Sequence, residues 1–176
     1  DSKRHNVVFV GRDRSGTPRY AHVRGTQESF RQDIAGSDKS YPFRYEGNGS
    51  QLFVFEAPID LLSHGALMQL SMKKQCTAVG MSEMYRSDCW LGINRVSLSG
   101  CSDIALKQRL SDDPRIKQIV FCLDNDERGR QATEKLMSDY SANFTVKVSI
   151  PPYGKDWNDT LKFIVTSKNK KQNTEE

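Results

Sequence analysis

A chain of 176 residues is long enough for one ordinary domain with a real core and a small appendage. Hydrophobic residues at 36% and charged residues at 27% fit a globular chain rather than a disordered one. No apolar run approaches the roughly 20 residues needed to span a bilayer, and a net charge of +4 suits either a polyanionic partner or a plain solvated surface.

The opening Asp1-Ser2-Lys3-Arg4-His5-Asn6 lacks the apolar core of a signal peptide, so a cytoplasmic location without membrane contact is expected. It runs abruptly into a strand-like segment, which suggests a piece of a longer protein. Cys76, Cys89, Cys101 and Cys122 form no CxxC pair, so structural zinc is not expected and four reduced thiols are.

Val7-Val8-Phe9-Val10 reads as a strand, Arg12 to Pro18 as a turn and Arg19 to Val23 as a returning strand, together a β-hairpin. A polar segment leads to Tyr41-Pro42-Phe43-Arg44-Tyr45, a further edge strand, and Gly47-Asn48-Gly49-Ser50 closes the front part. From there strands and helices alternate. Leu52 to Phe55 is a strand and Ile59 to about Leu70 a helix. Residues 72 to 92 show no clear period, with a weak strand expected near Thr77-Ala78-Val79 and then a loop. Arg95 to Ser99 is a strand, Asp103 to Leu110 a helix, and Ile119 to Leu123 the clearest buried strand. Ala132, Leu136 and Tyr140 place one face of a helix over 127–140. Thr145 to Ile150 is a strand ended by Pro151-Pro152, and a last helix starts near Asp156 to Asp159. Such alternation implies an α/β domain with a mainly parallel sheet, because parallel neighbours need crossover connections. The expected divisions are a β-rich segment over 1–50, the α/β domain over 51–166 and a disordered polar tail over 167–176.

In open α/β sheets ligands bind beyond the carboxyl ends of the strands, and acids fall at those ends. Glu56 follows the strand ending at Phe55, Asp124 and Asp126 follow the one ending at Leu123, and Asp156 and Asp159 follow the one ending at Ile150. The two-residue spacing of Asp124 and Asp126 turns both carboxylates to one side of extended backbone. Gathered carboxylates repel, and a hard divalent cation relieves the repulsion; magnesium, or manganese in its place, suits such oxygen ligands. The chemistry implied is phosphoryl or nucleotidyl transfer. Each acid alone also has a plain reading: Glu56 as a solvated loop residue, Asp126 as the N-cap of the next helix. A calcium loop is excluded, since Arg128 stands at its fifth position and Lys135 at its twelfth.

The order of these segments resembles the Toprim family. Glu56-Ala57-Pro58-Ile59-Asp60 is similar to its first motif, Ser97-Leu98-Ser99-Gly100 to its second strand, and Asp124-Asn125-Asp126-Glu127-Arg128-Gly129 to its third motif. Gly154-Lys155-Asp156-Trp157-Asn158-Asp159 resembles the late lysine–aspartate segment of bacterial primases. The resemblance implies a Rossmann-like, mainly parallel sheet flanked by helices behind an N-terminal β-hairpin subdomain. It also implies a magnesium site of Glu56, Asp124 and Asp126, with Glu56 as general acid or base. Asp60 and Asp156 would support the metal or its waters, or serve only as helix-start and helix-cap residues. Val8 to Gly11, Gly16 to Ala21, Arg24 to Thr26 and Gly36 to Ser40 resemble an uncharacterised domain preceding Toprim in proteins of plasmids and conjugative elements, which implies a bacterial mobile-element protein.

Arg128 and Arg130, on the first turn after the DxD, and Lys155 are candidates to hold phosphate, unless they are only solvated. Arg12, Arg14, Arg19, Arg24 and Arg31, interleaved with Tyr20, Tyr41, Phe43 and Tyr45, could bind single strands, although an ordinary packed hairpin is favoured. His5, His22 and His64 are scattered and support neither a triad nor a histidine metal site. No P-loop is present. Three functions follow: a primase-like nucleotidyl transferase on single-stranded or primed DNA, with nucleotides as co-substrates and RNA as an alternative polymer; a nuclease using the same carboxylates; or a non-catalytic module that binds nucleic acid or a partner.

Overall fold

A computed structural model of the chain describes residues 5–27, 29–78 and 92–172. The front segment forms a three-stranded antiparallel sheet in the order β1 (Val7–Arg12), β2 (Pro18–Arg24) and β3 (Arg31–Asp33). Asp13 builds the β1–β2 turn, accepting the N–H groups of Ser15 and Thr17 at 3.0 Å each and the Arg19 guanidinium at 2.8 Å. The hairpin expected from the sequence is therefore present with a third strand added. Arg31-Gln32-Asp33 is too short and polar for its period to show.

The main sheet has the order β4-β6-β5-β7-β8. Its strands are β4 (Arg44–Tyr45), β5 (Gln51–Phe55), β6 (Asn94–Ser97), β7 (Gln118–Phe121) and β8 (Thr145–Val148). Strands β6, β5, β7 and β8 run parallel, while β4 joins the edge antiparallel to β6. Residues 44–45, grouped with the front segment by sequence, thus belong to the main sheet.

Alternation along β5 explains the two-sided core. Leu52 and Val54 face a cluster closed by α2 (Ile104–Asp112) and α3 (Glu127–Tyr140), with Leu106, Ile119, Phe121 and Leu136 buried in it. Phe55 faces the other side with Val120, Cys122, Leu61 and Trp157, under α1 (Pro58–Ala78) and α4 (Trp157–Gln172), and partly buried Phe53 packs against that cluster. Burying each large side chain stabilises the fold by about 1.5–3 kcal/mol, and burial on both faces is what a parallel sheet requires. His64 belongs to this core: it meets the Trp157 ring edge-on at 4.6 Å, and burial lowers its pKa to about 4, so it stays neutral.

Two expectations are corrected. Thr77 and Ala78 end helix α1 rather than forming a strand, since no Gly or Pro interrupts the chain from Ala66 to Val79. Val79, the expected loop up to residue 91 and Cys89 lie outside the described residues. Helix α4 continues through Gln172, so residues 167–172 are helical, since neither Gly nor Pro falls between Trp157 and Gln172. The rest of the expected tail, 173–176, lies outside the description, as does the start at 1–4. Among the described residues no helix is long and apolar enough to cross a membrane. Cys101 and Cys122 are free thiols.

The front sheet is seated on the main body. Phe9 meets Phe43 edge-on at 5.4 Å. Within the main body, Arg44 of β4 reaches Asp112 on α2 at 2.8 Å, which fixes the edge strand beside that contact. Gly11 passes so close to the chain at Tyr41 that an added Cβ would fall 1.8 Å from the Tyr41 carbonyl oxygen. Any larger residue there would push the two parts apart.

Candidate metal and nucleic-acid cleft

Strands β5 and β7 are neighbours, and their register carries Glu56 and Asp124 to adjacent strand ends. The Asp124 N–H donates to Glu56 Oε1 at 3.2 Å, and the Cys101 thiol lies 3.5 Å from Glu56 Oε2. Asp126 caps α3: its Oδ1 accepts the Gly129 N–H at 2.8 Å. Its plain reading is therefore correct, and its other oxygen, Oδ2, is left to pair with Lys155. Lys155 Nζ stands between the two aspartates, 3.3 Å from Asp124 Oδ2 and 2.9 Å from Asp126 Oδ2. Its own backbone carbonyl accepts the Asn125 N–H at 2.7 Å, which pins the lysine loop to the DxD segment.

Glycine is needed at 129 for a physical reason. A Cβ there would sit 2.1 Å from the Asp124 carbonyl oxygen and 2.8 Å from Glu56 Oε1. The helix start, the strand end and the glutamate are packed too closely for a side chain.

The secondary acids come to the same place. Asp60, 3% exposed on α1, accepts the Asn158 N–H at 3.0 Å and so holds the start of α4. Asp156 caps α4 by accepting the Asp159 N–H at 2.7 Å. Both line a cleft of about 420 Å³ that also includes Glu56, Asp124, Lys155 and Arg128. The opposite wall is the front sheet, contributing His22, Arg24, Arg31 and Asp33. Arg128 is among the residues that line the cleft. Arg130 does not line it; its guanidinium bonds the Asn125 carbonyl at 3.1 Å and Glu127 at 3.3 Å.

Charge is crowded here. Burial, then the charge of Asp124, raises the Glu56 pKa. Burial raises that of Asp124 as well, against the opposing pull of Lys155. Burial and the neighbouring Asp156 push Asp60 up to about 7. Asp126 goes down instead, because the Gly129 N–H and then Lys155 stabilise its anion.

This donor set fits a magnesium or manganese ion. The carboxylates offer hard oxygens, their mutual repulsion calls for a cation, and the Lys155 ammonium already stands where a cation is stabilised. The fit is one of charge and donor chemistry. Among the described residues no three acidic, histidine or cysteine side chains are pre-arranged around a common ion position.

The sequence did not reveal the pairing of His22 with Asp33. The register of β2 and β3 sets them opposite each other, and His22 Nδ1 lies 2.8 Å from Asp33 Oδ1. Asp33 also accepts from the Tyr20 hydroxyl and lies 3.6 Å from Lys39 Nζ. Recognising β3 as a strand would have been the signal that paired them.

A parallel α/β sheet with acids at the ends of two adjacent central strands, facing a basic antiparallel sheet, is the architecture of a strand-end acidic-cleft domain. The chain belongs to the Toprim-like family, whose model matches residues 53–161. Residues 1–49 match the family described as a protein of unknown function (DUF3991). Solved structures share the fold. The primase fragment of the bacteriophage T7 primase-helicase protein aligns with a TM-score of 0.58 at 17% identity, covering 91% of this chain and 58% of that one. Primase domains of the T7 system, solved with the lagging-strand DNA polymerase and bound to an RNA/DNA hybrid and dTTP, align at 0.58 and 21% identity, covering 93% and 72%. The zinc-binding and RNA polymerase domains of the Aquifex aeolicus primase align at 0.55 and 16% identity, covering 94% and 39%. The chain therefore spans only part of the length of these primases. No curated protein matches it.

Proposed function

We propose that this chain is the metal-dependent catalytic module of a primase-like enzyme that joins nucleotides on a DNA template. The observation that carries this reading is the cleft itself: Glu56, Asp124, Asp60 and Asp156 on one wall, and a basic sheet on the other. In this reading Glu56, Asp124 and Asp126 hold magnesium or manganese, and Asp60 and Asp156 support them from the helix starts. Bound there, the metal would stabilise the attacking and leaving oxygens of an in-line displacement at phosphorus. Arg128, on the first turn of α3, would hold a phosphate at the helix N-terminus. Lys155 would exchange contact with the aspartates for contact with phosphate when substrate enters. The front segment's resemblance to a domain of plasmid and conjugative-element proteins supports reading the enzyme as one of a bacterial mobile element, working in the cytoplasm.

The test is an assay of the full-length protein on single-stranded DNA with labelled nucleotides, with magnesium or manganese and with chelator. Primer products that need both nucleotides and metal support the reading. Cleavage of the DNA without nucleotides replaces it with a nuclease. Binding without turnover under every condition leaves a nucleic-acid-binding module.

A further inference from the structure

Within that proposed function, the geometry points to His22, held by Asp33, as the proton acceptor that the front sheet contributes to the cleft. Each of the three front strands has a part in placing it. Phe9 on β1 packs beside the imidazole, with ring centroids 6.3 Å apart. The backbone pairing of β2 with β3 puts His22 directly opposite Asp33. The carboxylate then meets Nδ1 at 2.8 Å.

Asp33 is itself held. It accepts from the Tyr20 hydroxyl, and Tyr20 is only 2% exposed. Burial raises the Asp33 pKa, but the bonds from Tyr20 and His22 outweigh that and leave it below the ordinary carboxylate value. A carboxylate ionised at neutral pH makes Nδ1 the donor of the pair. In the neutral imidazole the proton then sits on Nδ1 and the lone pair on Nε2.

Both members of the dyad line the same cleft as Glu56, Asp124 and Lys155. The front sheet thus contributes a base from the wall facing the acids. The base serves nucleotidyl transfer. The attacking sugar hydroxyl gives its proton to Nε2 as its oxygen bonds the α-phosphorus of the incoming nucleotide, and the bond to pyrophosphate breaks, pyrophosphate leaving with the electron pair. The resulting imidazolium is stabilised by Asp33 and returns its proton to water after product leaves. General-base catalysis of this kind contributes about 10²–10⁴-fold. His22 is the catalytic residue and Asp33 its positioning residue. This gives residues 1–49, matched only to a family of unknown function, a defined chemical part.

The experiment uses the full-length protein and two readouts. Nitrogen-15 NMR of the histidine rings reports the tautomer: the wild type is expected to carry its proton on Nδ1 of His22, and Asp33→Asn to lose that preference. Nucleotide incorporation is expected to fall about 100-fold or more in kcat for His22→Gln and Asp33→Asn, with little change in KM. Added imidazole is expected to restore part of the rate to His22→Ala but none to Asp124→Asn. A ring protonated on Nε2 in the wild type overturns the dyad whether or not the protein turns over. So does a His22→Gln rate within about threefold of wild type, or a loss explained by weaker template binding. Absence of all turnover in wild type, with the Nδ1–H tautomer present, instead removes the primase-like reading and the base's role with it.

Discussion

Lys155 Nζ lies 2.9 Å from Asp126 Oδ2, on the carboxylate whose other oxygen caps α3 through Gly129. One aspartate thus ties a helix start to the only side-chain cation paired with Asp124 and Asp126 among the described residues. A metal ion placed between Asp124 and Asp126 must compete with that ammonium.

Lys155→Met is therefore expected to tighten magnesium or manganese binding. Lys155 is half-exposed, so screening keeps each ion pair near or below about 1 kcal/mol. The gain should be roughly threefold to tenfold in affinity, read by manganese titration. Unchanged or weaker binding would mean that the ammonium helps assemble the carboxylates instead of occupying their ion position.

Glu56→Gln should stabilise the fold while removing metal-dependent activity. Burial and the charge of Asp124 already disfavour the Glu56 anion, and the amide oxygen of Gln can still accept the Asp124 N–H. A gain of about 1 kcal/mol is expected, typical of relaxing a strained functional site. Thermal melting of the two proteins at pH 7.5 without metal checks it.

Gly129→Ala should instead destabilise the fold. Its methyl would press on the Asp124 carbonyl and on Glu56, and both are set by strand ends. Overpacking of this kind costs about 1–3 kcal/mol, occasionally more. Activity should drop with stability, measured by urea unfolding and by nucleotide incorporation on the same preparations.

Asp60 gives the stability a pH dependence of known sign. Its folded pKa of about 7 lies above the ordinary carboxylate value of 3.8, so the folded state binds the proton more tightly. Its stabilising contribution is full below about pH 4 and is lost as pH rises through about 7. The whole window corresponds to roughly 4 kcal/mol as an upper bound. Urea unfolding at several pH values should show wild type losing stability across this window relative to Asp60→Asn. Parallel curves for the two proteins would show that Asp60 is already ionised when folded.

What the sequence disclosed follows from the range of the interactions involved. The strand–helix alternation, the burial of Ile119 to Leu123 and the acids at strand ends are local patterns, and all of them are legible in single segments. The extension of α1 to Ala78 was hidden because Met, Lys, Gln and Cys there make no apolar period, although nothing breaks the helix. The seating of β4 on β6 and the bond from Arg44 to Asp112 join residues 50 or more positions apart. The dyad was missed for a subtler reason. His22 and Asp33 are only 11 residues apart, but their pairing depends on the register of a three-residue strand whose composition reads as loop. The turning of Arg130 toward Asn125 and Glu127, away from the cleft, is a choice among side-chain partners that spacing alone does not decide.

The most direct test of the metal-bearing cleft is a calorimetric titration of magnesium, repeated with manganese, into wild type and into the double variant Asp124→Asn with Asp126→Asn. Both are measured with and without single-stranded DNA. The expected result is binding by the wild type at millimolar metal or below, absent from a double variant that remains folded. A wild type that binds neither ion at millimolar concentration, with or without DNA, would contradict it.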